Sequence, residues 1–252
     1  MTPGRFLRRV RLGADAGAVT DRYPFTLPVV AWLARCGGLD LTPGVTFLVG
    51  ENGTGKSTLV EAVAVAAGFN PEGGRQNFRF ATRASESPLG DHLILSWGTR
   101  KPRTGFFLRA ESFYNVASEI ERLEREDPGL LAAYGGRSLH ERSHGESFVD
   151  LIVHRFGPNG LYLLDEPEAA LSVRGCLAAL ARIVELVEHG SQFVIATHSP
   201  LLLAVPGARI LQIEADGAIE HVEYDAAGPV ALTRAFLGQP ETFLHHLFTD
   251  ER

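Results

Sequence analysis

The sequence predicts an α/β fold with a mostly parallel core sheet. Three observations support this: short apolar runs typical of strands, helical patterns that alternate with them, and a glycine-rich loop between the first clear strand and the first clear helix. The apolar runs are continuous rather than alternating, as expected for strands that are buried on both faces. The predicted strands cover residues 45–49, 92–97, 105–108, 161–164, 193–196 and 210–213.

Helical spacing of apolar residues marks residues 57–67, 115–126, 146–155 and 173–188, with a weaker pattern at 241–247. The segment 81–108 carries little helical pattern and is predicted to be a meander of strands. We therefore expect a single domain over residues 1–252, with a small β-rich lobe at about 75–112 and a short helical insertion at about 113–142.

The 252-residue chain has a formal net charge of −6, which does not favour nucleic acid as a partner of the whole molecule. The charge is uneven, however, because residues 75–109 carry a local balance of +5. A stretch of this kind could contact a nucleic-acid phosphate backbone, and a solvated basic face is the plainer interpretation. Its basic residues are Arg75, Arg79, Arg83, Arg100, Lys101, Arg103 and Arg109.

The chain shows no sign of a secretory signal, because the basic N-terminus is not followed by an apolar segment. The longest apolar stretch, residues 59–67, is far shorter than the roughly 20 residues of a membrane span. Cys36 and Cys176 are expected to be reduced core thiols. These features predict a cytoplasmic protein with no direct membrane insertion, so any membrane association would need a partner.

The glycine-rich loop fits the phosphate-loop pattern G-x-x-x-x-G-K-[S/T]. Its glycines let backbone N–H groups surround phosphate oxygens, and the following helix directs its positive dipole end at the same anion. We expect Lys56 to reach the β- and γ-phosphates of ATP, and Ser57 to ligate Mg²⁺. The expected nucleotide-binding residues are Gly50, Glu51, Asn52, Gly53, Thr54, Gly55, Lys56, Ser57 and Thr58.

The strand at 161–164 ends in two carboxylates, Asp165 and Glu166, before Pro167 prevents it from continuing. The first carboxylate is placed to hold Mg²⁺ beside the phosphate loop. The second is a candidate catalytic residue that would polarise the water attacking the γ-phosphate. The strand at 193–196 delivers His198 to the same sheet edge, where its imidazole could contact the γ-phosphate or that water.

With these motifs the chain resembles the ABC-type P-loop ATPases. The matching stretches are GENGTGKST, LYLLDEPEAALS and FVIATHSP, and the resemblance covers residues 45–200. A glutamate directly after the magnesium aspartate and a histidine strand about thirty residues later are both hallmarks of that family. Within it, the chain is similar to the RecF and structural-maintenance-of-chromosomes branch.

The resemblance implies a signature loop, LSGGQ or a variant, shortly before the acidic strand. Ser143 matches the signature serine, Gly145 the second glycine and Glu146 the final glutamine, whereas Arg142 and His144 depart from the pattern. Ser143 and Gly145 would then contact nucleotide. The alternative is a simple cap for the helix predicted at 146–155.

The family also implies a nucleotide-dependent homodimer, in which each signature loop covers the γ-phosphate bound by the other copy and hydrolysis releases the pair. In the loop that joins the two sites, Ser172 stands where an aspartate is usual. Two further family features are poorly defined. Gln76 lies early for the magnesium-sensing glutamine, Glu111 is better placed but the wrong residue type, and Tyr23 is a candidate for stacking on adenine.

These observations predict an ATP hydrolase that needs Mg²⁺. Three roles remain open for the ATP cycle. The first is a DNA-maintenance or defence process that uses the 75–109 basic stretch. The second is the nucleotide-binding subunit of an ABC membrane transporter. The third is an ATP-driven dimer switch that regulates a partner protein.

Overall fold

The computed structural model describes residues 6–18, 21–41, 44–74, 88–126, 129, 131 and 144–249; the side chains of 17, 18 and 144 are excepted. The strands are β1 (Leu7–Leu12), β2 (Leu39–Asp40), β3 (Val45–Gly50), β4 (Leu93–Trp97), β5 (Thr104–Arg109), β6 (Gly160–Asp165), β7 (Gln192–Ala196), β8 (Arg209–Ile213) and β9 (Ile219–Val222). The helices are α1 (Pro28–Arg35), α2 (Lys56–Ala66), α3 (Phe113–Glu126), α4 (His144–Arg155), α5 (Val173–Glu188), α6 (Gly228–Gly238) and α7 (Pro240–Thr249).

Six strands form the core sheet, in the order β5-β6-β7-β3-β8-β9. All neighbouring pairs are parallel except β8 and β9, which confirms the predicted mostly parallel sheet. Strand β7 lies between β3 and β6, so the segments that follow these three strands leave the sheet at the same edge. This edge is where ligands bind in open α/β sheets.

Helices cover both faces of the core sheet. On one face, α3, α4 and α5 pack over strand residues such as Phe47 and Tyr162. On the other, α1 and α2 pack over residues such as Leu48 and Leu163. The alternation of Phe47 and Leu48 between the two cores is the period of two expected of a strand. It explains why β3 is apolar at nearly every position.

A second sheet contains three antiparallel strands in the order β2-β1-β4. The predicted meander at 81–108 is therefore wrong, because β4 pairs with the N-terminal β1 while β5 forms one edge of the core sheet. Strand pairing between segments this far apart depends on tertiary packing, which local sequence does not specify. Residues 75–87 lie outside the described part of the chain, and the proposed lobe and helical insertion stay predictions.

The helices that follow strong periodic patterns were predicted well. Helix α5 has the predicted bounds, and α2, α3 and α4 begin one or two residues earlier than predicted. The elements missed from the sequence are β1, β2, β9, α1 and α6. Cys176 is buried as expected, whereas Cys36 is exposed, so the prediction of a core thiol is wrong for Cys36. Within the described ranges, no helix is long and apolar enough to cross a membrane.

Candidate functional site: the carboxyl edge of the core sheet

The phosphate loop connects β3 to α2, and three of its glycines have a positive φ, which residues with a Cβ rarely adopt. Gly50 has a φ of 153°, and a Cβ there would lie 2.5 Å from the carbonyl oxygen of Ile213. Gly55 has a φ of 93°, and its Cβ would lie 2.8 Å from Cγ1 of Val29. At Gly53, also at positive φ, the space beyond the Cβ is open to 4 Å. This openness leaves room for an anion over the loop.

Lys56 begins α2 and is only 3% exposed. Its Nζ donates hydrogen bonds to the carbonyl oxygens of Gly50 at 2.9 Å and Glu51 at 3.0 Å. Burial lowers the pKa of Lys56, while the negative charges of Glu166 and Asp165 oppose that shift. The ammonium group therefore lies in the electrostatic field of the acidic strand end, as the two motifs predicted.

The other residues of the loop support its shape and its surroundings. Thr54 donates from Oγ1 to the carbonyl oxygen of Glu51 at 2.9 Å, which closes the turn. The hydroxyl of Thr58 lies 3.0 Å from that of Tyr23. Tyr23, proposed from the sequence as an adenine-stacking residue, is thus adjacent to the phosphate loop and exposed. Asn52 is exposed at the tip of the loop.

Asp165 ends β6 and is 5% exposed. Burial raises its pKa to about 6, although the Ser57 hydroxyl and the Arg109 guanidinium both act to lower it. Its Oδ2 lies 3.3 Å from Nε of Arg109. Its Oδ1 is buried and makes no ordinary hydrogen bond to the described residues. A buried carboxylate oxygen without a partner requires an explanation, because it loses its hydration at a cost.

A magnesium ion fits these residues. Mg²⁺ takes oxygen ligands, and Ser57 and Asp165 bring a hydroxyl and a carboxylate together beside the phosphate loop. The unpaired Oδ1 of Asp165 is the atom that such an ion would satisfy. The carboxylate must be ionised to bind the metal, so the raised pKa of Asp165 predicts weaker metal binding below about pH 6.

Glu166 has a backbone conformation that is rare for a glutamate. Its φ of 47° and ψ of 51° lie in the left-handed region, which costs on the order of 1 kcal/mol for a residue with a Cβ. A hydrogen bond from its backbone N–H to the carbonyl oxygen of Ala196, at 3.0 Å, helps to hold this turn. The half-exposed side chain lies 3.7 Å from Nε2 of His198, as measured to Oε1.

His198 follows β7 and faces the acidic turn. Its Nε2 atom is buried and has no hydrogen-bond partner within the described part of the chain. Its backbone N–H donates to Oε1 of Glu168 at 2.5 Å. Glu168 therefore ties the histidine loop to the turn after β6, and its negative charge also acts on Lys56. The sequence interpretation assigned no role to Glu168; the signal available was a third carboxylate directly after Pro167.

The predicted signature loop is described only from its third residue. Arg142 and Ser143 lie outside the described residues, as does Gln76. Gly145 lies in the first turn of α4, where a Cβ would be 3.1 Å from the carbonyl oxygen of Ala170. The start of α4 thus packs against the 3₁₀ turn Pro167–Ala170. Ser172 caps α5 by accepting a hydrogen bond from the backbone of Gly175 at 3.1 Å.

The basic residues of the stretch 75–109 that the structure describes lie in two different places. Arg75, Arg79 and Arg83 lie outside the described residues. Arg100, Lys101 and Arg103 are exposed in the connection between β4 and β5. Arg109 instead points toward the acidic strand end and pairs with Glu61 and Asp165, so it is not exposed beside these three cations. Contact of the basic stretch with DNA stays a prediction. Glu111 is 88% exposed and lies 3.6 Å from Arg109.

Comparison with known protein families agrees with this geometry. A family described as "AAA domain" matches residues 35–122, which include the phosphate loop. A second, described as "AAA domain, putative AbiEii toxin, Type IV TA system", matches residues 134–204, which include the acidic strand and His198. The chain resembles the ABC-like P-loop ATPases. Its mostly parallel core sheet brings the ends of β3, β6 and β7, which carry the matching motifs, to one edge.

A sequence relative of this chain is described as a macrolide export protein. The chain is 28% identical over 207 residues to the macrolide export ATP-binding/permease protein MacB of Hahella chejuensis, and the match covers 72% of the chain and 30% of MacB. The chain thus spans less than a third of that relative's length.

Three solved structures that match this chain have low sequence identity to it. The SMC head domain from Thermotoga maritima is 17% identical, covers 74% of this chain and 93% of its own, and has a TM-score of 0.41. A nucleotide-free ATP-binding cassette from an ABC transporter is 16% identical, with coverage of 77% and 87% and a TM-score of 0.45. A bacterial Atm1-family ABC exporter with ATP bound is 16% identical, with coverage of 94% and 44% and a TM-score of 0.46.

Proposed function

We propose that this chain binds and hydrolyses ATP. The observation that supports the proposal is the meeting of a phosphate loop, two acidic residues and a histidine at one edge of the core sheet. The cation of the loop, Lys56, is held there by backbone carbonyls and by the charges of Glu166 and Asp165. When ATP binds, the ammonium group could leave those carbonyls for the phosphate oxygens and offset part of their negative charge.

Each residue has a distinct role in this proposal. The loop amides and Lys56 bind the phosphates, and Ser57 and Asp165 hold Mg²⁺. When bound, the metal would supply charge neutralisation to the phosphate oxygens. Glu166 accepts a proton from the attacking water or orients it, and His198 positions that water or the γ-phosphate. Glu168 holds His198 in place through its backbone N–H.

We further propose that hydrolysis takes place in a homodimer. One chain carries one phosphate loop and one candidate signature segment, so two copies placed head to tail would complete two sites. In the described part of that segment, Gly145 lies at the start of α4, whose N-terminal end can attract a phosphate. Ser143, two residues before Gly145, would then contact the γ-phosphate bound by the second copy.

The test compares the wild-type chain with Lys56→Ala in equilibrium binding of ATP and in phosphate release. We expect the variant to lose most of its nucleotide affinity, because no other cation of the loop can replace the ammonium group. Binding as tight as in the wild type would overturn the proposal. Lys101→Ala, at an exposed lysine far along the chain, is the matched control and should bind ATP normally.

For the biological role, we propose a DNA-maintenance or defence process. The supporting observation is that Arg100, Lys101 and Arg103 are exposed together between β4 and β5. Exposed cations of this kind bind phosphate backbones in a salt-dependent way. Binding of duplex and single-stranded DNA, with and without ATP at low salt, tests this. No retention in either state would exclude it.

The transporter alternative is favoured by the similarity to MacB, whose name describes it as both ATP-binding and a permease. Under this alternative the chain would couple to a membrane partner. Regulation of a partner protein by an ATP-driven dimer is the third possibility. Co-purification with the Glu166→Gln variant, which we expect to hydrolyse ATP slowly, distinguishes the three roles. Recovered nucleic acid would support the DNA role, a membrane protein the transporter role, and a soluble protein the regulatory role.

A further inference from the structure

Arg109 forms an ion pair with Asp165, the predicted magnesium ligand. The parallel pairing of β5 with β6 sets Arg109 beside Asp165 at the ends of their strands. Its Nε lies 3.3 Å from Oδ2 of Asp165, and its Nη1 donates to Oε2 of Glu61 at 2.8 Å. Glu111 approaches the same guanidinium to 3.6 Å. Arg109 thus spans from helix α2 to the metal site.

The burial of this cluster makes its charges interact strongly. The side chains of Arg109, Glu61 and Asp165 are 20%, 10% and 7% exposed, so water screens them less than it screens surface pairs. A guanidinium in this position stabilises the Asp165 carboxylate while the metal is absent. The same positive charge repels a dication that approaches that carboxylate.

We propose that Arg109 competes with Mg²⁺ for Asp165 and so sets the metal affinity of the site, with Glu61 as the partner that holds Arg109 when the metal binds. The proposal rests on the proposed ATPase function, since it concerns the same metal ligand. Arg109 is a positioning residue in this view, because it acts through Asp165. A site of this kind empties readily when free Mg²⁺ falls.

Substitution of Arg109 and substitution of its partner Glu61 should change the metal affinity in opposite directions. Arg109→Gln removes the competing charge, so metal affinity should rise by about tenfold, the size expected for one nearby charge in a partly buried site. Glu61→Gln removes the alternative partner of Arg109 and leaves it on Asp165, so metal affinity should fall severalfold. Arg109→Lys keeps the charge and should stay close to the wild type.

The experiment measures the binding of Mn²⁺ to the full chain in the presence of ATP. Electron paramagnetic resonance distinguishes bound from free Mn²⁺. Glu188→Gln is the control, because this exposed carboxylate of α5 lies outside the cluster around Arg109 and should change affinity little. Circular dichroism and thermal unfolding confirm that each variant folds. If Arg109→Gln fails to fold, Arg109→Met, which also removes the charge and has a similar length, takes its place in the same comparison.

The possible results distinguish failure of the proposed competition from failure of the proposed ATPase function. If the wild-type chain binds no Mn²⁺ with ATP, the proposed function itself fails. If the wild type binds but folded Arg109→Gln binds no more tightly, the competition is overturned while the ATPase proposal stands. If Glu61→Gln binds as tightly as the wild type or more tightly, the role given to Glu61 is overturned. Opposite shifts in the two variants support the inference.

Discussion

The two ends of the core sheet bury polar side chains in opposite ways. At the amino end, Gln192 accepts hydrogen bonds at Oε1 from the backbone of Phe6 and Leu7, at 2.8 and 2.9 Å, and donates from Nε2 to the carbonyl oxygen of Leu7 at 2.8 Å. There the hydroxyl of Tyr162 also exchanges hydrogen bonds with Gly157, at 2.7 Å each. The hydrogen bonds of these polar groups are made to the backbone of the protein itself.

At the carboxyl end, several buried polar atoms stay without partners. Oδ1 of Asp165, Oε2 of Glu168 and Nε2 of His198 make no hydrogen bond to any residue that the structure describes. The turn that holds Glu166 is also in the left-handed region. An unpaired buried polar atom costs about 1–3 kcal/mol, and a bound ligand would remove that cost. The comparison therefore separates Gln192, whose bonds are made within the protein, from the three atoms around Asp165 that a ligand could satisfy.

The largest effect that this comparison predicts is at Glu166. Glu166→Gln should bind ATP like the wild type but lower the hydrolysis rate by about 10²–10⁴-fold, the usual contribution of a general base. Phosphate release and ATP binding, measured on the same preparation, test it. Sedimentation with ATP should then show a stabilised dimer. Glu188→Gln, at an exposed residue of α5, should hydrolyse normally, and a Glu166→Gln enzyme of full activity would contradict the role.

The second effect is at the amino end. Gln192→Ala removes three hydrogen bonds to the backbone of Phe6 and Leu7, so the free energy of unfolding should fall by about 2–3 kcal/mol. Denaturant unfolding of the nucleotide-free chain measures this. Gln239→Ala, at an exposed glutamine after α6, is the control and should cost less than about 0.5 kcal/mol. ATP affinity should be unchanged in the folded fraction, and a large loss of affinity would contradict the division between the two ends.

The third effect has the opposite sign. The pKa of Asp165 is raised to about 6, so the stability that its protonated form provides at low pH is lost as the pH rises from about 4 through about 6. Asp165→Asn should therefore raise the free energy of unfolding by about 2 kcal/mol at pH 7.5, and by little at pH 4. It should also abolish Mn²⁺ binding with ATP.

Thermal unfolding at both pH values checks this prediction. Asp91→Asn, at an exposed aspartate, is the control and should leave the pH profile unchanged. A variant that is less stable than the wild type at pH 7.5 would mean that the Asp165 carboxylate is a structural group after all.

The smallest predicted effect is at Glu168. Glu168→Ala removes the acceptor of the His198 backbone N–H, so the turnover number should fall by about fivefold, roughly 1 kcal/mol, without a change in ATP affinity. Glu168→Gln keeps an acceptor oxygen and should restore most of the rate. Steady-state kinetics that separate kcat from KM test this. Equal losses in both variants would indicate that the charge, rather than the hydrogen bond, matters.

The candidate site was largely predictable because its motifs are local. A glycine loop between a strand and a helix, and acidic and histidine residues directly after apolar strands, are features of short stretches of sequence. The structure places Lys56, Asp165, Glu166 and His198 at one edge, as those stretches predicted. The roles of Glu168 and Arg109 were missed, because each depends on a contact with a residue at least thirty positions away.

The sequence by itself determined which side chains carry the chemistry and that each follows a buried strand, since strand and helix periodicity is a local property. Only the tertiary structure decided that β7 lies between β3 and β6, that β4 pairs with β1, and that Arg109 turns inward to Asp165. These outcomes follow from hydrogen bonding and packing between distant segments. Their free energy depends on all the partners together, so no short stretch of sequence specifies them.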